Sequence, residues 1–135
     1  MKTIFDFLTP KSKTFYIEDN STIRQVIEKF DAHKFSVVPI IDEEGKFVTT
    51  ISEGDILRFI KNHYEFDIYM AESTRINKVD LYRPYKALNI FTSLNDVIKL
   101  SLDQNFIPVV DDRGMYIGII KRKDIIDYLF EGKYI

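Results

Sequence analysis

"PVVDDRGMYIGIIKRKDII", residues 108–126, repeats an earlier stretch, "PIIDEEGKFVTTISEGDIL", residues 39–57, at a constant offset of 69 positions. Pro39 falls on Pro108, Asp42 on Asp111, Gly45 on Gly114 and Asp55 on Asp124. The apolar frame coincides as well: Ile40/Ile41 with Val109/Val110, Phe47/Val48 with Tyr116/Ile117, Ile51 with Ile120, and Ile56/Leu57 with Ile125/Ile126. Proline, acid, glycine and acid at fixed spacing inside a matching hydrophobic frame mark an internal repeat.

Working outward, each copy reads in the same order. In the first, "TFYI" (14–17) is a short β-prone run, and "DNST" supplies helix-capping side chains. Ile23, Val26, Ile27 and Phe30 then recur at helical spacing. "FSVVPIID" reads as a buried strand whose proline belongs at its edge or first residues. "DEEGK" is a turn in which Gly45 takes positive φ at little cost, and "FVTTIS" is the return strand. "EGDILRFIKNH" closes the unit as a helix with Ile56, Leu57, Phe59 and Ile60 on a broad apolar face.

The second copy gives strand "KALNIF", a cap at Thr92/Ser93, and a helix with Leu94, Val97, Ile98 and Leu102 inward. Strand "FIPVVD", turn "DDRGM", strand "YIGII" and helix "RKDIIDYLFEG" follow, the last closed by Gly132. Its first helix is two residues shorter than its counterpart. Residues 1–66 hold the first repeat and 67–135 an ordered connector and the second, together one compact pair.

A chain of 135 residues has room for one compact domain or two small units sharing a core. With 45% hydrophobic and 30% charged residues the composition is that of a folded globular protein, not a disordered one. A net charge of −2 provides no broad attraction to nucleic acid or an anionic membrane. The absence of cysteine removes disulfides, thiolate metal sites and thiol nucleophiles, and fits a reducing compartment. No apolar run approaches a membrane span, and "MKTIFDFLTPK" lacks the apolar core of a signal peptide. The expectation is a soluble cytoplasmic protein.

Strand, helix, strand, strand, helix in tandem, with P-[VI]-[VI]-D before the turn and Asp in the first turn of the last helix, resembles the CBS domain. Two such units make a CBS pair, or Bateman module, and the resemblance covers essentially the whole chain. It implies an α/β (α+β) fold, β-α-β-β-α twice, packed as a pseudo-twofold pair. It also implies clefts for adenine nucleotides, here AMP, ADP, ATP or cyclic di-AMP. The function implied is that of a non-catalytic regulatory sensor.

The resemblance assigns residues. Asp55 and Asp124 would accept hydrogen bonds from ribose hydroxyls, two carboxylate oxygens suiting a vicinal diol; a carboxylate there equally caps its own helix. Three residues earlier the family prefers Ser or Thr; Ser52 fits, whereas Lys121 departs and would be a point-charge ligand for phosphate. Each cleft of the family joins the Asp of one unit to the segment entering the middle strand of the other. That would group Asp124 and Lys121 with Phe35, Ser36 and Val37, and Asp55 and Ser52 with Asn105, Phe106 and Ile107. Tyr16 and Ala87 would line the same clefts. Phe35 and Phe106 fit a core role as well as an adenine sandwich.

No catalytic constellation is legible. His33 and His63 lack a second ligand at metal spacing, and the five glycines form no phosphate loop or nucleophile elbow. Expected partners are an adenine nucleotide as regulatory ligand and not as cofactor, a second copy in a homodimer, and a regulated protein that the sequence does not identify. A ligand-free interaction module and a nucleotide-processing enzyme are the rival readings.

Overall fold

The computed structural model describes residues 2–33 and 35–134, with side chains to residue 131. Its strands are β1 (Leu8–Pro10), β2 (Ile17–Glu18), β3 (Val37–Ile41), β4 (Phe47–Ser52), β5 (Leu88–Asn89), β6 (Phe106–Val110) and β7 (Tyr116–Lys121). Its helices are α1 (Ile23–His33), α2 (Glu53–Lys61), α3 (Ile68–Ser73), α4 (Leu94–Ser101) and α5 (Arg122–Tyr134). The chain forms two compact units. Phe15–Pro84 make the first-repeat unit; Met1–Thr14 with Tyr85–Ile135 make the second-repeat unit.

Both hairpins are built alike. Asp42 accepts the backbone N–H groups of Glu44 and Lys46 at 2.9 Å, and Asp111 those of Arg113 and Met115 at 2.9 Å. These carboxylates tie the turns, while Gly45 (φ 89°) and Gly114 (φ 80°) supply the left-handed residue. The repeated Asp and Gly of each turn are therefore structural.

The prolines lie mid-strand, and the ladder shows why they are tolerated. Glu53 N–H donates to the Ser36 carbonyl at 2.9 Å, and Arg122 N–H to that of Asn105 at 2.9 Å. In an antiparallel pair hydrogen-bonded positions alternate. Three steps of register from each of these bonds make Pro39–Thr50 and Pro108–Ile119 non-hydrogen-bonded pairs. The missing N–H thus faces the parallel neighbour. There β2 pairs only with Ile40 and Ile41, and β5 only with Val109 and Val110. Each proline ends the parallel ladder, so "TFYI" and "KALNIF" shrink to two-residue strands.

The first-repeat sheet has order β2-β3-β4, over a core of Ile17, Ile23, Val26, Phe30, Ile51, Ile56 and Phe59. The second-repeat sheet has order β1-β7-β6-β5, over Ile4, Phe7, Val97, Ile107, Val109, Ile120 and Ile125. The extra strand β1 comes from the N-terminal segment. It approaches β7 so closely that a Cβ on Gly118 (φ 151°) would stand 2.1 Å from the Thr9 carbonyl oxygen. Ahead of it, Thr3 N–H donates to the Asp6 carboxylate at 2.7 Å, which holds that carboxyl below its usual range.

Two expectations about side-chain direction and one about a helix end are corrected. Leu102 is 79% exposed, because α4 ends at Ser101 and leaves it on the C-cap. Leu57 is 67% exposed, so α2 buries Ile56 and Phe59 on a narrower face. Helix α5 continues past Gly132 to Tyr134, so that glycine does not close it.

Candidate functional site

In the first-repeat unit Ser52 pairs with Val37 in the ladder and caps α2, its Oγ accepting Asp55 N–H at 3.1 Å. The Asp55 carboxylate answers by accepting Ser52 N–H at 2.9 Å, a reciprocal capping box. It also accepts Tyr82 N–H at 2.9 Å and pairs with the Arg58 guanidinium one turn on. Asp55 is 1% exposed, and three donors engage its carboxylate, two on Oδ1 and one on Oδ2. The Arg58 guanidinium also lies over the Tyr82 ring, 5.0 Å from its centroid, and that of Arg83 lies 5.2 Å from it.

Around the other predicted residues of this unit the surface is aromatic. The Phe15 ring lies 3.8 Å from His33 and 5.1 Å from Phe35, and both phenyl groups are half exposed. Ser36 is exposed; Tyr16 and Val37 are half-buried. Phe15 and His33 were not singled out by sequence, where they occur as an isolated strand residue and an isolated histidine.

The second-repeat unit arranges the equivalent positions differently. Lys121 pairs with Phe106 in the ladder, and Asp124 lies in the first turn of α5. Asp124 is half-buried, and its side chain makes no hydrogen bond or ion pair among the described residues. Lys121 and Lys123 are exposed and likewise unpaired among those residues. Arg122, between them, is not part of a free basic cluster. Its Nε donates to the carbonyls of Ser101 (2.7 Å) and Gln104 (3.1 Å), so its charge closes the C-terminus of α4.

Neighbouring groups shape this end of the sheet. Buried Gln104 holds Lys86, its Oε1 accepting Lys86 N–H at 2.8 Å and its Nε2 donating to the Lys86 carbonyl at 3.0 Å. Tyr85 presents its hydroxyl to Asn105 N–H at 3.3 Å and its ring edge to Phe106, centroids 5.0 Å apart. Asn105 is exposed, Phe106 and Ala87 are half-buried, and the Ile107 side chain belongs to the core. Tyr85 and Gln104 carried no sequence signal, because neither sits in a repeated position of like residues.

Two hairpin-and-helix units, each with Asp in the first turn of its last helix, give the expected tandem fold. A family model, CBS domain, matches residues 4–62 and 79–131. The chain belongs to the CBS domain family. The uncharacterized protein MJ1426 of Methanocaldococcus jannaschii is 32% identical over 83% of this chain and 83% of its own. A structure of CbpB in complex with c-di-AMP superposes with a TM-score of 0.85 at 25% identity, covering 96% of this chain and 85% of that one. A structure of CBSX2 in complex with AMP shares the fold, with a TM-score of 0.75 at 23% identity over 98% of this chain and 99% of that one. Among the described residues of this CBS pair no helix is long and apolar enough to cross a membrane, and no cluster of three His, Asp or Glu could hold a metal ion.

Proposed function

We propose that this CBS pair is a non-catalytic regulatory sensor that binds an adenine nucleotide, with Asp124 as the ribose ligand and Lys121 beside the phosphate. The observation that carries this reading is the half-exposed Asp124 carboxylate, which has no partner among the described residues. A carboxylate with both oxygens available matches a vicinal diol, and charge-assisted hydrogen bonds of that kind are the strong ones. The likeness to CbpB, solved with c-di-AMP, supports a nucleotide as the ligand class.

Regulation follows from differential affinity. A ligand that holds one conformation more tightly than another shifts the population toward it, and a partner protein reads the shift. Calorimetry against AMP, ADP, ATP and cyclic di-AMP tests the proposal, with saturable binding to at least one expected. Heat without saturation for the whole panel would leave only an interaction module. Steady release of product from ATP in the presence of magnesium would replace the sensor with an enzyme.

A further inference from the structure

We infer that Asp55, the repeat counterpart of Asp124, is a tether for the connector and not a ligand group, so that the chain takes one mononucleotide and not two. The stoichiometry rests on the nucleotide reading above; the tether does not. Three donors hold the Asp55 carboxylate, two of them on Oδ1. A vicinal diol needs room on both oxygens, so a ribose would have to displace the Tyr82 N–H or the Arg58 guanidinium from Oδ1, and Asp55 is 1% exposed. The backbone N–H of Tyr82, part-buried here, would then need a new partner, since a donor left unpaired away from water is costly.

The tether has a specific object. Tyr82 lies in the connector, outside any helix or strand, between a left-handed non-glycine residue, Arg83 (φ 52°), and the partly buried Leu81. Its N–H reaches a carboxylate 27 positions earlier, and its ring lies against the guanidinium that pairs with the same carboxylate. One side chain therefore fixes both the backbone and, through Arg58, the ring of Tyr82. Asp55 acts as a positioning residue for the segment that leads from the first-repeat unit into Tyr85. In the second-repeat unit Asp124 holds no such strap, which is what leaves its oxygens available.

The test has a ligand-free arm and a ligand arm. In the free protein, hydrogen exchange followed by NMR should find the Tyr82 amide protected despite its irregular backbone. Asp55→Ala should cut that protection by at least about tenfold, the effect of losing one hydrogen bond to a charged group, while the Arg122 amide keeps its own. A Tyr82 amide exchanging at the unprotected rate in the unmodified chain would overturn the tether whether or not any variant folds. In the ligand arm, AMP and ATP titrated separately should each bind once per chain or not at all, leaving Tyr82 protection unchanged. Two equivalents per chain, or Tyr82 deprotected by ligand, would overturn the single-site inference. If neither mononucleotide nor cyclic di-AMP binds, the proposed function falls, and the ligand-free arm still decides the tether.

Discussion

Asp55→Ala is expected to destabilise the fold by about 2–3 kcal/mol, because it removes a buried acceptor and strands the Tyr82 and Ser52 N–H groups. Asp124→Ala should change stability by less than about 0.5 kcal/mol, since that side chain has no partner to lose. Urea denaturation of the two variants checks the contrast; equal losses would contradict it. Binding should divide the other way. Asp124→Asn should weaken the nucleotide by about 1.5–3 kcal/mol, the worth of a charge-assisted hydrogen bond, read by calorimetry on a variant of unchanged melting temperature. Lys121→Ser should bring ATP and AMP affinities together, and the unmodified chain should lose ATP affinity as salt rises, because exposed ion contacts are screened. Equal affinities for both nucleotides at low salt, unmoved by the substitution, would remove Lys121 from the site. At this scale the sequence read the two aspartates as equivalents, because their helix-start positions are equivalent. The difference comes from a backbone N–H at Tyr82, which no residue type announces, and from Arg58, whose i,i+3 spacing from Asp55 is the one signal that was available. The role of Arg122 has no local sequence signal, because the α4 carbonyls that it caps become its neighbours only once β6 and β7 pair.

At the scale of elements, the hairpins and closing helices were legible because each has a local cause: an Asp that ties its turn, a glycine at positive φ, and a frame of alternating apolar residues. The first strand of each repeat was overdrawn, because β-prone residues alone do not show that Pro39 and Pro108 stop the ladder. Strand β1 was not legible at all. Its partner lies about a hundred residues away, and its signal is a glycine in the middle of a strand, Gly118, where a bulge or a close backbone approach is the physical meaning. Gly118→Ala is expected to force β1 off β7, since the added Cβ would meet the Thr9 carbonyl. Ile4 and Phe7 would lose their cover, lowering stability by about 2–4 kcal/mol. Limited proteolysis should then cut within residues 2–14 at protease levels that leave the unmodified chain intact. Resistance equal to that of the unmodified protein would show that the strand accommodates the methyl group. Thr49, the repeat counterpart, bears a side chain because β4 has no ladder partner on that edge.

Over the whole molecule, the leading segments are exchanged. The segment through Thr14 leads the first repeat but folds with the second, and the connector through Pro84 precedes the second but folds with the first. Sequence order alone placed each leader with the repeat that follows it, because long-range pairing is invisible to local pattern. What the two units leave uncovered leads to the last prediction. On the first-repeat unit, Ile27, Phe30, Ile56, Leu57 and Ile60 line an apolar groove between α1 and α2. On the second-repeat unit, Ile126, Leu129 and Phe130 stand exposed along α5 at positions i, i+3 and i+4. Apolar side chains clustered on helix faces in this way mark association surfaces rather than scattered exposure. The protein is therefore expected to be a homodimer held through these helices. Because burial of apolar area drives the association, raising the salt concentration should not dissociate it, unlike the contact of Lys121 with a nucleotide. Leu57→Asp and Ile126→Asp each place a charge on an exposed position, so the fold should persist while the dimer weakens. Light scattering at tens of micromolar, paired with circular dichroism, reads both quantities. A monomer in the unmodified chain at that concentration, or a dimer indifferent to both substitutions, would show that these faces serve something other than a second copy.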